Sequence, residues 1–178
     1  MASLVIVTGP PGAGKSTVAR GLARRFEPCA LVEGDAFFGF IERGAITPWL
    51  SEASEQNEVV TQAAAAAAGR YAAGGFVTVY DGMVGPWFLQ TFLRATGLER
   101  VDYAMLMPSV ERYIERVASR QDHGFRDEGA TRHMYRQFAR ADIDERHVLV
   151  DPPDDSNEVA DMIVAALEQE LLAYRRRL

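Results

Sequence analysis

The sequence predicts an α/β protein of three layers, in which a five-stranded parallel sheet lies between two sets of helices. Three observations predict it. Short, continuous apolar runs recur along the chain, rich in β-branched residues and of strand length. Between them lie longer stretches with apolar residues at helical spacing. The two kinds of segment alternate, which calls for right-handed crossovers and a sheet covered on both faces. A chain of 178 residues with 48% hydrophobic and 25% charged residues fits one globular domain spanning residues 1–178.

The elements follow in order. LVIVT, residues 4–8, reads as a fully buried strand, and a Gly-rich loop separates it from a helix with Val18, Leu22 and Phe26 on one face. CALVE, residues 29–33, is the second strand, ending at Gly34-Asp35 and leading into a helix to about Gly44. Residues 45–50 form a loop holding Pro48 and Trp49. A long helix then covers residues 51–73, with Ser51 or Ser54 as its cap. Its alanine run at 63–68 favours helix and suits close packing on a neighbour. Gly74-Gly75 ends it, and FVTVY, 76–80, is the third strand, followed by Asp81-Gly82. A short helix opens at Pro86 and runs to residue 97. VDYAMLM, 101–107, is the fourth strand, followed by a helix to about Gln121. A polar connection at 122–130 leads to a helix at 131–141 and to the fifth strand at 146–150. After the loop DPPDDS, a terminal helix runs from Asn157 to about Arg175 on the apolar residues Val159, Met162, Ile163, Ala166, Leu167 and Leu171.

Bulk properties narrow the function. A net charge of -6 argues against a nucleic-acid partner or an anionic membrane surface. No apolar run approaches the roughly 20 residues of a membrane span, and the N-terminal residues lack a basic signal region. The single cysteine, Cys29, sits in an apolar run and reads as a buried thiol, and a cytoplasmic location is the expectation. The chain is expected to be a monomer or homodimer.

The most informative stretch is TGPPGAGKST. Gly9, Pro10, Pro11, Gly12, Ala13, Gly14, Lys15 and Ser16 satisfy G-x-x-x-x-G-K-[ST] in full, with Thr17 next, between a buried strand and an amphipathic helix. In such a loop the backbone N–H groups converge on phosphate, and the helix N-terminus adds donors and partial positive charge. Lys15 would reach the β- and γ-phosphates of ATP, and Ser16 would offer its hydroxyl to Mg²⁺. Lys15 is the only lysine in the chain; every other basic side chain is arginine. A guanidinium is planar and bulkier and does not replace an ammonium inside a tight loop, so lysine stands where the loop requires it. An Asn-Lys-x-Asp guanine motif is impossible without a second lysine, which excludes Ras-like GTPases. Large ring-forming ATPases end the third strand in Asp-Glu and carry a further helical domain, whereas here Asp81 is followed by Gly82.

Ligands of open α/β sheets bind beyond the carboxyl ends of strands. Asp35 at the second strand end is therefore a candidate to accept the proton of an attacking hydroxyl or to orient it, alongside an N-cap role. Glu33 is a weaker substrate-contact candidate. Asp81 at the third strand end is the candidate holder of the Mg²⁺ hydration shell, or simply the first residue of an Asp-Gly turn. Gly82 would leave room for substrate.

With this loop, Asp35, Asp81 and arginines after the fourth strand, the chain resembles the P-loop small-molecule kinases. These form the nucleoside monophosphate kinase-like group that includes shikimate kinase, gluconate kinase and chloramphenicol phosphotransferase. The resemblance implies a P-loop NTPase fold of nucleotide kinase type with a small lid, here around residues 120–132. It also implies lid arginines that clamp phosphate, for which Arg120 and Arg126 are the candidates, while Arg132, Arg136 and Arg140 are expected at the surface. In similar kinases the loop after the fifth strand borders adenine, a position taken here by Pro152 and Pro153.

The acceptor would lie around residues 35–62, with Phe38 and Trp49 as apolar wall and Arg43 and Gln56 as polar contacts; Met83, Trp87 and Phe88 would close the other side. Only Arg43 and Arg70 carry positive charge between Asp35 and Asp81, which favours an uncharged hydroxyl compound over a nucleoside monophosphate. The expected function is ATP- and Mg²⁺-dependent phosphorylation of a hydroxyl on an antibiotic- or sugar-like small molecule. The alternatives are a nucleoside monophosphate kinase, or an ATP-binding regulatory module without its own acceptor.

Overall fold

The computed structural model describes residues 4–113 and 128–176. Strand β1 (Leu4–Thr8) is buried along its whole length, as a central strand of a doubly covered sheet requires. It pairs in parallel with β3 (Val77–Asp81) on one side and β4 (Arg100–Met107) on the other. The edges are β2 (Cys29–Glu33) beside β3 and β5 (Val148–Val150) beside β4, giving the order β2-β3-β1-β4-β5. All these pairs are parallel, so the phosphate loop, Asp35 and Asp81 all emerge at one edge of the sheet.

The alternation of side chains along the strands builds two cores. On one face Val5, Val7, Val79 and Leu106 meet helices α1 (Lys15–Ala23) and α5 (Ser156–Glu168). On the other, Leu4, Ile6, Val32 and Tyr80 meet α2 (Ser54–Ala73) and α3 (Leu89–Thr96), and α4 (Glu128–Ala139) adds Phe138. The alanine run does what its small side chains allow. Ala64, Ala65 and Ala68 are fully buried, and at Gly69 a Cβ would collide with the Thr96 carbonyl, so α2 and α3 pack backbone to backbone.

The structure departs from the sequence reading in several places, among them the fifth strand, which is Val148–Val150 after a 3₁₀ turn at Glu145–His147. A sixth strand, β6 (Ala173–Arg175), replaces the last turn of the predicted terminal helix and pairs antiparallel with the start of β4. The helix stops because Glu170 adopts a left-handed conformation (φ 56°), which lets Leu172 turn inward and accept a bond from the Tyr103 amide at 2.9 Å. The segment after Asp35 is a 3₁₀ helix, Gly34–Phe40, shorter than predicted. Neither Ser51 nor Ser54 caps α2 through its side chain; a 3₁₀ turn, Ser51–Ala53, runs straight into the helix, with the Ala53 amide bonded to the Leu50 carbonyl. Lastly, β3 is displaced by one residue, so that Asp81 is itself the end of the strand.

His147 lies under β4, 1% exposed, edge-on to Tyr103 and Tyr174, with Nδ1 3.2 Å from the Tyr103 carbonyl oxygen. Burial lowers the pKa of its imidazole, with the Tyr103 carbonyl opposing and Arg146 assisting the shift. The folded chain thus keeps His147 neutral to a lower pH than the unfolded chain, whose imidazole titrates near 6.5. Its contribution to stability is complete above that value and is lost as pH falls through it towards the folded value. The melting temperature is therefore expected to fall from about pH 7.5 to about pH 5, and less steeply in His147→Phe. Identical slopes in the two proteins would remove His147 as the cause.

Candidate active site

The phosphate loop is shaped by its glycines. Gly9 has φ 144° and packs against the Leu106 carbonyl with no space for a Cβ, while Gly14 enters α1 in the left-handed region at φ 91°. The Ala13 amide closes the loop on the Pro10 carbonyl at 3.1 Å, and the Lys15 ammonium donates to the same oxygen at 3.1 Å. Lys15 is thus folded back over the loop. Ser16 and Thr17 follow on the exposed first turn of α1, whose N-terminal amides face the loop.

Asp81 closes the other side. Its carboxyl is 8% exposed and lies near the Ser16 hydroxyl and the charge of Lys15. Burial raises its pKa; the Ser16 hydroxyl and Lys15 oppose that shift, and Asp35 and Glu33 add to it. A buried carboxylate beside a serine hydroxyl is a hard oxygen pair of the kind that holds Mg²⁺ together with water and phosphate. The residues present therefore fit that ion, which Ser16 and Asp81 would hold.

The turn beyond Asp81 is fastened to β1. Thr8 Oγ accepts from the Val84 amide at 2.9 Å and donates to the Val84 carbonyl at 3.2 Å, and the Tyr103 hydroxyl donates to the same carbonyl at 2.7 Å. These buried bonds fix the Asp81 turn relative to the phosphate loop, because both hang from the end of β1. Gly82 does not open space for a ligand as the sequence suggested. The Tyr80 ring fills it, 2.6 Å from where a Cβ would lie.

Asp35 stands exposed in the first turn of the 3₁₀ helix at the end of β2, close enough to Asp81 to act on it electrostatically. Glu33 instead turns to α1 and pairs with Arg20 at 2.8 Å. Of the acceptor candidates, Phe38 is half-buried, Arg43 is exposed, and Trp49 is partly exposed in its loop. Phe37 packs on the core and meets Phe40 edge-on at 5.2 Å, leaving Phe40 75% exposed beyond Asp35. Gln56 is committed elsewhere: both ends of its carboxamide bind the Ile46 backbone at 2.7 Å, and Asn57 holds the Pro48 carbonyl at 2.6 Å. They shape the loop that presents Trp49. Across the site Met83 and Trp87 are exposed, and Trp87 lies edge-on to Phe138 of α4 at 5.1 Å.

A cavity of about 270 Å³ opens beside the phosphate loop, lined by Gly12, Gly14, Thr17, Leu106, Pro152 and Pro153. Arg112, the first of three arginines that recur at every fourth residue after the fourth strand (Arg112, Arg116, Arg120), holds its outer wall. It pairs with Asp151 at 2.8 Å and with Asp154, and donates to the Pro152 carbonyl at 2.6 Å. The Ser109 amide and then Arg112 keep the Asp151 carboxyl below its ordinary pKa. Arg132, Arg136 and Arg140 are exposed, as expected. Arg120 and Arg126, with most of the expected lid, lie outside the described residues. Among the described residues no helix is long and apolar enough to cross a membrane.

The sequence reading missed Thr8, Tyr80 and Arg112. Arg112 had a signal in its spacing. Thr8 and Tyr80, which end or nearly end buried strands, read as core.

A family model described as an AAA domain matches residues 4–142. No curated protein matches the sequence. Among solved structures, a sugar kinase from Janibacter sp. shares the fold at a TM-score of 0.72 and 17% identity, over 94% of this chain and 95% of that one. The tunicamycin resistance protein of Deinococcus radiodurans gives 0.69 at 16% identity, over 94% and 96%. A gluconokinase from Sinorhizobium meliloti gives 0.63 at 18% identity, over 96% and 93%.

Proposed function

The chain belongs to this AAA-domain family, with the fold of the P-loop small-molecule kinases, and from that premise we propose that it transfers the γ-phosphoryl group of ATP to a hydroxyl of a small, uncharged molecule. The observation that carries the reading is the division of labour between two carboxylates at one sheet edge. Asp81, nearly buried at the end of β3, lies with Ser16 and Lys15 on the phosphate-loop side, while Asp35 stands exposed on the acceptor side.

The residues take the following parts. The glycine loop and the α1 amides bind the phosphates, and Lys15 leaves the Pro10 carbonyl to reach the β- and γ-oxygens. Ser16 and Asp81 hold Mg²⁺, which when bound neutralises charge on the phosphate oxygens. Pro152 and Pro153 wall the adenine in the cavity beside the loop. Asp35 orients the acceptor hydroxyl and takes its proton as the new O–P bond forms and the bond from the γ-phosphorus to the bridging oxygen breaks, leaving ADP. Arg120 and Arg126 neutralise the charge spread over the γ-oxygens. Phe38, Phe40 and Trp49 offer the acceptor an apolar wall, and Arg43 is the basic residue of that segment. An antibiotic- or sugar-like acceptor suits that lining, and the sugar kinase, the gluconokinase and the tunicamycin resistance protein support it as analogies of fold.

The test is ADP release from Mg-ATP across a panel of sugars, polyols, uncharged antibiotics and nucleoside monophosphates. Stimulation by an uncharged hydroxyl compound, with one phosphate found on that compound, is the expected result. Stimulation by nucleoside monophosphates alone would reassign the acceptor. ATP binding with no stimulation by any compound would favour a regulatory module.

A further inference from the structure

Tyr80 occupies a place that a core residue does not need. In the parallel register it lies beside Val32, one position before the pair Glu33 and Asp81, with its side chain on the α2 and α3 face of the sheet. Its ring is 3% exposed and is held edge-on by Phe92 at 4.7 Å. Its hydroxyl lies against Gly34, where a Cβ would collide with it, and its ring edge fills the space at Gly82. The phenol thus fills the notch between the ends of β2 and β3, directly beneath the backbone that carries Asp35. Both Asp35 and Asp81 act on it electrostatically, Asp35 the more strongly. Among the described residues, neither the Tyr80 hydroxyl nor the Asp35 carboxylate has a hydrogen-bond partner.

Apolar filling alone would be met by phenylalanine, whose ring would still require glycine at position 34. Two glycines instead flank a buried ring whose hydroxyl points at the strand ends, the edge where ligands of such sheets bind. Asp35 sits on a short, exposed turn and makes no hydrogen bond among the described residues, while a general base works only when held within hydrogen-bond reach of the proton it takes. A protonated phenol is a donor at neutral pH, and an ionised carboxylate is an acceptor only.

We propose that Tyr80 is the positioning residue for Asp35, its hydroxyl donating to one carboxylate oxygen in the loaded site so that the other faces the acceptor hydroxyl. The proposal rests on the kinase reading of Asp35. Asp81, the next residue of β3, points to the opposite face of the sheet towards the phosphate loop, which leaves Asp35 as the partner on the side of the notch where the acceptor binds.

The experiment compares the full-length wild type, Tyr80→Phe, Asp35→Asn and the double variant in Mg-ATP turnover. Turnover is measured with water alone, which takes the place of the acceptor hydroxyl, and with any stimulating compound from the panel. Tyr80→Phe keeps the ring and its contact with Phe92, so the melting temperature and the KM for ATP should stay at the wild-type values. Its kcat should fall roughly 10-fold, the scale of one lost hydrogen bond in the transition state, and the same substitution should change nothing further in the Asp35→Asn background. A Tyr80→Phe protein with wild-type kcat, or one that loses the same factor in both backgrounds, overturns the proposal while leaving the kinase reading intact. Asp35→Asn turning over at the wild-type rate would instead sink the reading of Asp35, and the proposal with it.

Discussion

Replacing Lys15 with alanine is expected to lower kcat/KM for Mg-ATP by roughly 10³-fold or more, with the melting temperature of the free protein unchanged within about 2 °C. The side chain is half-buried and donates to the Pro10 carbonyl of its own loop, whose glycine geometry and Ala13–Pro10 closure are made by the backbone and do not depend on it. What is lost is the one ammonium able to follow the γ-phosphoryl group as charge builds on its oxygens, a bond made more strongly in the transition state than with bound ATP. Lys15→Arg should be nearly as damaging. The loop is closed tightly at Gly9 against the Leu106 carbonyl, and a planar fork has neither the slimness nor the freedom of an ammonium there. Steady-state ADP release and calorimetric titration with a non-hydrolysable ATP analogue separate the loss in rate from the loss in affinity. Full activity in Lys15→Ala would remove the loop as the phosphate site.

The two halves of the site were unequally legible in the sequence, for a physical reason. The phosphate loop is encoded locally: positive φ at Gly12 and Gly14, and the close approach of Gly9 to β4, each demand glycine at a fixed spacing. Strand ends are nearly as local, since a carboxylate that terminates an apolar run in a parallel sheet emerges at the ligand edge. That logic found Asp35 and Asp81. It failed wherever the meaning of a residue depends on a distant partner. The apolar pattern of β3 places Tyr80 in the core, and only the pairing with β2 reveals that Gly34 admits its hydroxyl. Arginines at every fourth position define a helix face, and nothing in that spacing says that Arg112 meets Asp151 and Asp154 from the loop after β5. Gln56 has the look of a ligand contact until the loop at Ile46 folds back onto it. The sixth strand was hidden for the same reason. Helical periodicity persists through Leu171, and the turn at Glu170 follows from the contact of Leu172 with β4.

Asp35→Asn is expected to cost roughly 10²–10⁴ in kcat with a panel acceptor, while ATP affinity and folding stay at the wild-type level. The substitution is nearly isosteric and falls on an exposed turn where the carboxylate carries no described ion pair, so it removes proton acceptance and little else. Asparagine can still orient a hydroxyl through its carbonyl oxygen, and the size of the loss therefore measures how much of the role is proton transfer. A fall below about 10-fold would make Asp35 a positioning group in a loose, largely dissociative transfer, in which the acceptor proton leaves late. A fall near the upper end would make it the base. Asp81→Asn gives the contrast, because that carboxylate lies with Ser16 and Lys15. Its loss should raise the Mg²⁺ concentration needed for half-maximal turnover, and excess Mg²⁺ should restore part of the rate. Mg²⁺ should not rescue Asp35→Asn. If both variants respond to Mg²⁺ alike, the two carboxylates share the metal and the division of labour between the two sides of the sheet edge is wrong.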